Sequence, residues 1–119
     1  VSGAANRHPA IAYKVLTAAQ MADLLAQGRF AGAPVDLADG FIHLSTEAQL
    51  PGTLAKHFAG QSDLHLAAVD LAALGAAVRW EVSRGGELFP HIYAALPLSA
   101  VRAHGPLAWL AEGVPALPA

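Results

Sequence analysis

The chain has 119 residues and a mass of 12.2 kDa, the size of one domain. Its formal net charge is -2 and it has no cysteine. Those two facts argue against sequence-independent nucleic-acid binding and exclude disulfide scaffolds, thiolate metal sites and thiol chemistry.

Residues 1–9 form a small-residue arm, expected to be flexible; residues 10–110 are read as a single domain and residues 111–119 as a loose tail. Tyr13 to Leu16 reads as a first strand. Thr17 with Gln20 three residues on is a capping-box spacing. Ala18, Met21, Leu24 and Leu25 then share one helical face, with Gly28 as the stop. Gly32 to Gly40 reads as loop and Phe41 to Leu44 as a short strand. Thr46 and Gln49 repeat the capping spacing, and Leu50, Leu54 and Phe58 make a helical stripe. Pro51 lies past the first turn counted from Thr46, so it kinks that helix or begins it.

Leu64 to Asp70 and Val78 to Ser83 read as strands, with one helical turn at most between them. Arg84-Gly85-Gly86-Glu87 is a turn signal before a β-like run from Phe89 to Leu96. Ser99 to Trp109 suggests a last edge strand. Two helices come early and most strands late, which favours the α+β class over a doubly wound fold. No apolar leader and no run of ~20 apolar residues is visible. A cytoplasmic protein without a membrane partner is therefore expected.

Strand side chains alternate between faces. Ile42 and Leu44 point one way, and Phe41, His43 and Ser45 the other. Val78, Trp80 and Val82 oppose Arg79, Glu81 and Ser83; Ile92 and Ala94 oppose His91 and Tyr93. The polar faces would line a groove if they shared one side of a sheet. A two-residue Gly85-Gly86 turn sets Trp80 opposite His91, whereas one extra residue in the second strand sets Glu81 there. Pro90, which cannot donate to a ladder, favours the second register.

Each candidate residue has two readings. His43 is a ligand contact or a half-buried histidine bonded to backbone. Ser45 and Thr46 are helix caps or hydroxyls offered to an anion at the helix start. Glu81, beside Trp80, is a desolvated acid/base carboxylate or a surface partner of Arg79 or Arg84. His91 and Tyr93 grip a ring or cover the core. No metal is expected, because His43, His65 and His91 lie on different strands without ligand spacing. There is no nucleophile elbow and no glycine-rich nucleotide cradle.

Tyr13-Lys14-Val15-Leu16, Asp39-Gly40-Phe41-Ile42-His43-Leu44-Ser45-Thr46, Trp80-Glu81 and Gly86-Glu87-Leu88-Phe89-Pro90-His91-Ile92-Tyr93 together resemble the bacterial family called domain of unknown function 952. The resemblance implies an ADP-ribosyltransferase-like fold: two small, mostly antiparallel sheets, a cleft between them and two main helices. In such enzymes the cleft holds NAD. Carried over, His43 would contact the ribose, Ser45 or Thr46 would supply the hydroxyl, and Glu81 would orient the reacting sugar, with Glu87 the competing carboxylate. His91 and Tyr93 would form the opposite wall. For the phosphates of such a ligand the chain offers the helix start after Ser45, His43, His91 and Arg84. The function implied is ADP-ribosyl transfer or hydrolysis on NAD, with His43, Glu81 and His91 as the catalytic set. A non-catalytic module binding a nucleotide or other small molecule is the alternative.

Overall fold

The computed structural model of the protein describes residues 8–119. The expected arm therefore lies outside the described residues except for His8 and Pro9. The first strand, β1 (Ile11–Thr17), runs antiparallel to β4 (Leu64–Asp70), and β4 pairs in turn with β8 (Val101–Pro106). β1 and β4 are buried on both faces because this sheet lies between two apolar clusters. Ala12, Leu16, Ala67 and Val69 face one cluster; Tyr13, Val15, Leu66 and Ala68 face the other.

Helix α1 (Ala18–Gln27) starts on the expected capping box: Thr17 Oγ1 accepts from the Gln20 N–H, and Gln20 Oε1 accepts from the Thr17 N–H. It stops at Gly28, whose φ of 75° is left-handed and free of the Cβ penalty. Met21 and Leu24 are buried, but Leu25 is exposed, so the apolar face is narrower than expected. The segment expected to be loop holds a short helix, α2 (Pro34–Asp39). Pro34 supplies a helical φ at the first position, Asp36 accepts from the Ala33 N–H, and Gly40 closes the end at φ 86°.

Strand β2 (Arg29–Phe30) pairs with β7 (Leu96–Pro97), so the single run expected from Phe89 to Leu96 is divided. The second three-stranded sheet has the order β3 (Ile42–His43), β6 (Leu88–Ile92), β5 (Val78–Val82). It meets the first sheet where Tyr13 and Ser45 exchange backbone hydrogen bonds of 2.7 and 2.9 Å. Helix α3 (Leu50–His57) carries Pro51 in its first turn and buries Leu50 and Leu54 in the second cluster. The Thr46–Gln49 reciprocal bonds close the turn just before it.

Between β4 and β5, Leu71–Ala77 is 3-10 helical across a kink at Gly75, longer than the single turn expected. The β5–β6 turn uses three residues, Arg84–Gly86, bracketed by a Ser83 N–H to Glu87 carbonyl bond of 2.9 Å. Arg79 is thereby set opposite His91 and Glu81 opposite Phe89. Neither register considered from the sequence is realised, but the odd-numbered residues of both strands share a face. Val82, expected on the apolar face, is exposed. Beyond β8, the hairpin β9 (Trp109–Ala111) and β10 (Val114–Pro115) occupies part of the expected tail, and Leu117 packs on the second cluster. The fold is α+β with small antiparallel sheets and few helices. Among the described residues no helix is long and apolar enough to cross a membrane.

Candidate functional site

A cleft of about 470 Å³ opens beside the Tyr13–Ser45 junction of the two sheets. Its walls are the middle of β1, the second half of α3, the Ser83–Gly85 turn and the polar face of β3 and β6. His43, Ser45, Arg84 and His91 of the expected residues line it. Lys56, His57 and Asp39, which the sequence reading did not single out, line it too.

His43 and His91 are direct cross-strand partners on β3 and β6, with ring centroids 5.4 Å apart. Each has Nδ1 on a carboxylate. His43 Nδ1 lies 2.6 Å from Asp36 Oδ1, and His91 Nδ1 lies 2.8 Å from Glu81 Oε1. His43 Nε2 is a further 2.9 Å from Asp39 Oδ2. Phe41 stacks on His91 at 4.1 Å and tilts against His43 at 4.7 Å, giving the pair an aromatic backing.

Asp36 is the centre of a buried network. It is 2% exposed and pairs with Lys14, itself 5% exposed, at 2.9 Å. It also accepts from the Ala33 and His43 backbone N–H groups, while Lys14 Nζ donates to the His43 carbonyl. Burial pushes the Asp36 carboxyl up, but the His43 hydrogen bond and the Lys14 charge outweigh it and hold the group well below the usual carboxylate range. Burial pulls the Lys14 ammonium down against the opposing pull of Asp36. This network orients His43, and no isolated motif announced it: Lys14 sits within a strand that reads as apolar, and Asp36 within a segment that reads as loop.

Glu81 is placed differently from the expectation. Trp80 lies on the other strand face, stacked on His8 at 4.0 Å, and does not desolvate it. Hydrogen bonds from His91 and then from the Tyr93 hydroxyl, the latter 2.7 Å long, hold the Glu81 carboxyl below its ordinary value. Glu81 does not line the cleft; it reaches the cleft through His91. Tyr93 does not line it either, but borders a second pocket of about 270 Å³ with Phe41 and Ile92. Its hydroxyl is pushed up by the bond to Glu81. Glu87 is exposed at the hairpin end.

Ser45 is not a helix cap. Its Oγ is 2.7 Å from Thr53 Oγ1, which accepts from Arg84 at 3.3 Å. Thr46 is buried outside the cleft lining, where its Oγ1 accepts from the Gln49 N–H in the turn that precedes α3. Arg84 lies over the Phe89 ring at 5.0 Å and reaches the Gln49 carbonyl at the start of α3. Burial, then the positive charges of Arg84, Lys56 and His43, hold His57 below its ordinary value. Among the described residues no group of three or more histidines, cysteines or carboxylates is arranged to hold a metal ion.

Residues 15–104 match the family described as protein of unknown function (DUF952), and the chain belongs to that family. The chain is similar to protein CC0527 of Caulobacter crescentus. The crystal structure of that protein has 50% sequence identity and a TM-score of 0.81, over 90% of this chain and 94% of that one. The crystal structure of a double mutant of CC0527 shares 48% identity, with a TM-score of 0.81 and the same coverage. Its solution NMR structure gives 48% identity and a TM-score of 0.77, over 90% of this chain and 92% of that one. No curated protein matches the chain.

Proposed function

We propose that the cleft binds a small phosphate-bearing ligand of nucleotide type, with NAD or an ADP-ribose compound as the first candidate. One observation carries this reading. Lys56 and Arg84, beside the ring nitrogens of His43, His57 and His91, converge on a single cleft in a chain whose formal net charge, with histidine neutral, is -2. Positive side chains gathered against the sign of the whole molecule mark the place where an anion is favoured. His57 is lowered first by burial and then by the charges of Arg84, Lys56 and His43, and that second part is in keeping with a site that favours an anion. A volume of about 470 Å³ suits a ligand of this class. The two small sheets with a cleft at their junction agree with the ADP-ribosyltransferase-like arrangement that the sequence motifs imply.

Glycosidic-bond transfer or hydrolysis at the nicotinamide–ribose bond is the catalytic form of the proposal. It asks for a carboxylate near the reacting sugar, and the Glu81 carboxylate is engaged by His91 and Tyr93 outside the cleft lining. That engagement favours a binding module as the second reading. Calorimetric titration with NAD and with ADP-ribose tests the binding step. The expected affinity is micromolar to millimolar, roughly 4–8 kcal/mol. Arg84→Gln and Lys56→Gln should each weaken it, and no heat with either ligand at millimolar concentration refutes the proposal. Nicotinamide release assayed on the same samples separates the two forms: release that Glu81→Gln abolishes supports transfer, and binding without release supports the module.

A further inference from the structure

We infer that His43 and His91 form a general acid and general base pair that hydrolyses a phosphodiester of mononucleotide size. This rests on the proposed binding of a phosphate-bearing ligand in the same cleft. The pair is built symmetrically and used asymmetrically. Both rings have Nδ1 fixed by a carboxylate, Asp36 for His43 and Glu81 for His91, so Nε2 is the nitrogen each ring can offer a ligand. His91, donating Nδ1–H to Glu81, keeps the lone pair of a base on Nε2. His43 lies between two carboxylates, Asp36 at 2.6 Å and Asp39 at 2.9 Å, so both ring nitrogens have an acceptor in place and the acid role in the proposal uses the form of the ring that donates from both. Its Nε2–H is the proton an acid needs.

Asp39 is half exposed and lines the cleft, so its carboxylate can leave. The oxygen it sets against His43 marks the seat of an anionic oxygen of the ligand. Arg84 and Lys56 on the facing walls meet the non-bridging phosphate oxygens, where charge gathers in the transition state. In the step itself, His91 Nε2 takes a proton from water and the water oxygen bonds to phosphorus. The bond from phosphorus to the ester oxygen breaks with its electron pair going to that oxygen, which takes the proton from His43 Nε2. The products are a phosphate monoester and an alcohol, and exchange with solvent returns the proton from His91 to His43. Asp36 and Glu81 are positioning residues.

The full chain is assayed with 2′,3′-cyclic AMP, whose leaving oxygen is strongly basic, and with bis(p-nitrophenyl) phosphate, whose leaving group needs no proton. His91→Gln should lower kcat about 10²–10⁴-fold on both substrates. His43→Gln should lower it about as much on the cyclic nucleotide and by a far smaller factor on the aryl ester. Glu81→Gln should lower kcat with KM unchanged. Thermal melts establish that each variant is folded, and the wild-type comparison of the two substrates stands even if one variant is not. Calorimetric binding of 2′,3′-cyclic AMP without turnover overturns the acid–base pair and leaves the binding reading intact. Equal losses for the two histidine variants on both substrates overturn the division of roles. Absence of binding by 2′,3′-cyclic AMP, NAD and ADP-ribose alike overturns the binding reading itself.

Discussion

Replacing Asp36 with alanine is the sharpest test of how the site is held. The substitution leaves the Lys14 ammonium, 5% exposed, with the His43 carbonyl as its remaining partner. It also removes the acceptor of the Ala33 and His43 backbone N–H groups and of His43 Nδ1. Breaking a buried ion pair from one side costs about 3–5 kcal/mol. Against a total stability of about 5–15 kcal/mol for a domain, that is a large fraction. The melting temperature should fall by roughly 10–20 °C. Lys14→Met should cost less, because the Asp36 carboxylate keeps its three N–H donors.

The same network predicts how stability varies with acid. The folded Asp36 carboxyl is held below its ordinary value, so its contribution is fully present above the unfolded value of about 3.9 and is lost as pH falls below it. Urea denaturation of wild type, Asp36→Ala and Lys14→Met at neutral pH, and of wild type and Asp36→Ala toward pH 3, measures both effects. The reasoning is refuted by a loss under ~1 kcal/mol for Asp36→Ala, by a larger loss for Lys14→Met, or by identical acid limbs for wild type and Asp36→Ala.

Two further outcomes are expected. Leu54, 4% exposed in the second apolar cluster, should cost about 2–5 kcal/mol on truncation to alanine, and more than truncation of the half-buried His43; chemical denaturation compares them, and the reverse order would make His43 chiefly a structural hydrogen-bonding residue. Because neighbouring positive charges help hold His57 below its ordinary value, a phosphate-bearing ligand should raise it toward that value and draw in a proton. Affinity should therefore strengthen as pH falls through about 6.5, and calorimetry in buffers of different ionisation heat should register the proton; His57→Gln should remove most of that uptake.

Local chemistry was legible wherever the partners are a few residues apart. The Thr17–Gln20 box, the Gly28 stop and the burial of Leu50 and Leu54 follow from spacing alone, because capping and amphipathicity act within one helix. Helix α2 carried its signals too, with Pro34 first, Asp36 third and Gly40 last, but in so short a segment they read equally as a turn. The alternation of faces gathered His43 and His91 correctly, since a period of two survives any even shift of register.

Composition and spacing thus carry the α+β class, the start of α1 and the sharing of faces along the strands. Tertiary structure alone decided the rest. Whether the β5–β6 turn takes two residues or three depends on glycine conformations at Gly85 and Gly86 that several turn types accept, so the pairing of Arg79 with His91 was open until the chain closed. Lys14 and Asp36 are 22 residues apart, and their burial is tolerable only because folding brings the two charges together. A charge alone in the sequence reads as surface; its partner, supplied by another element, is what turns it into the support of His43.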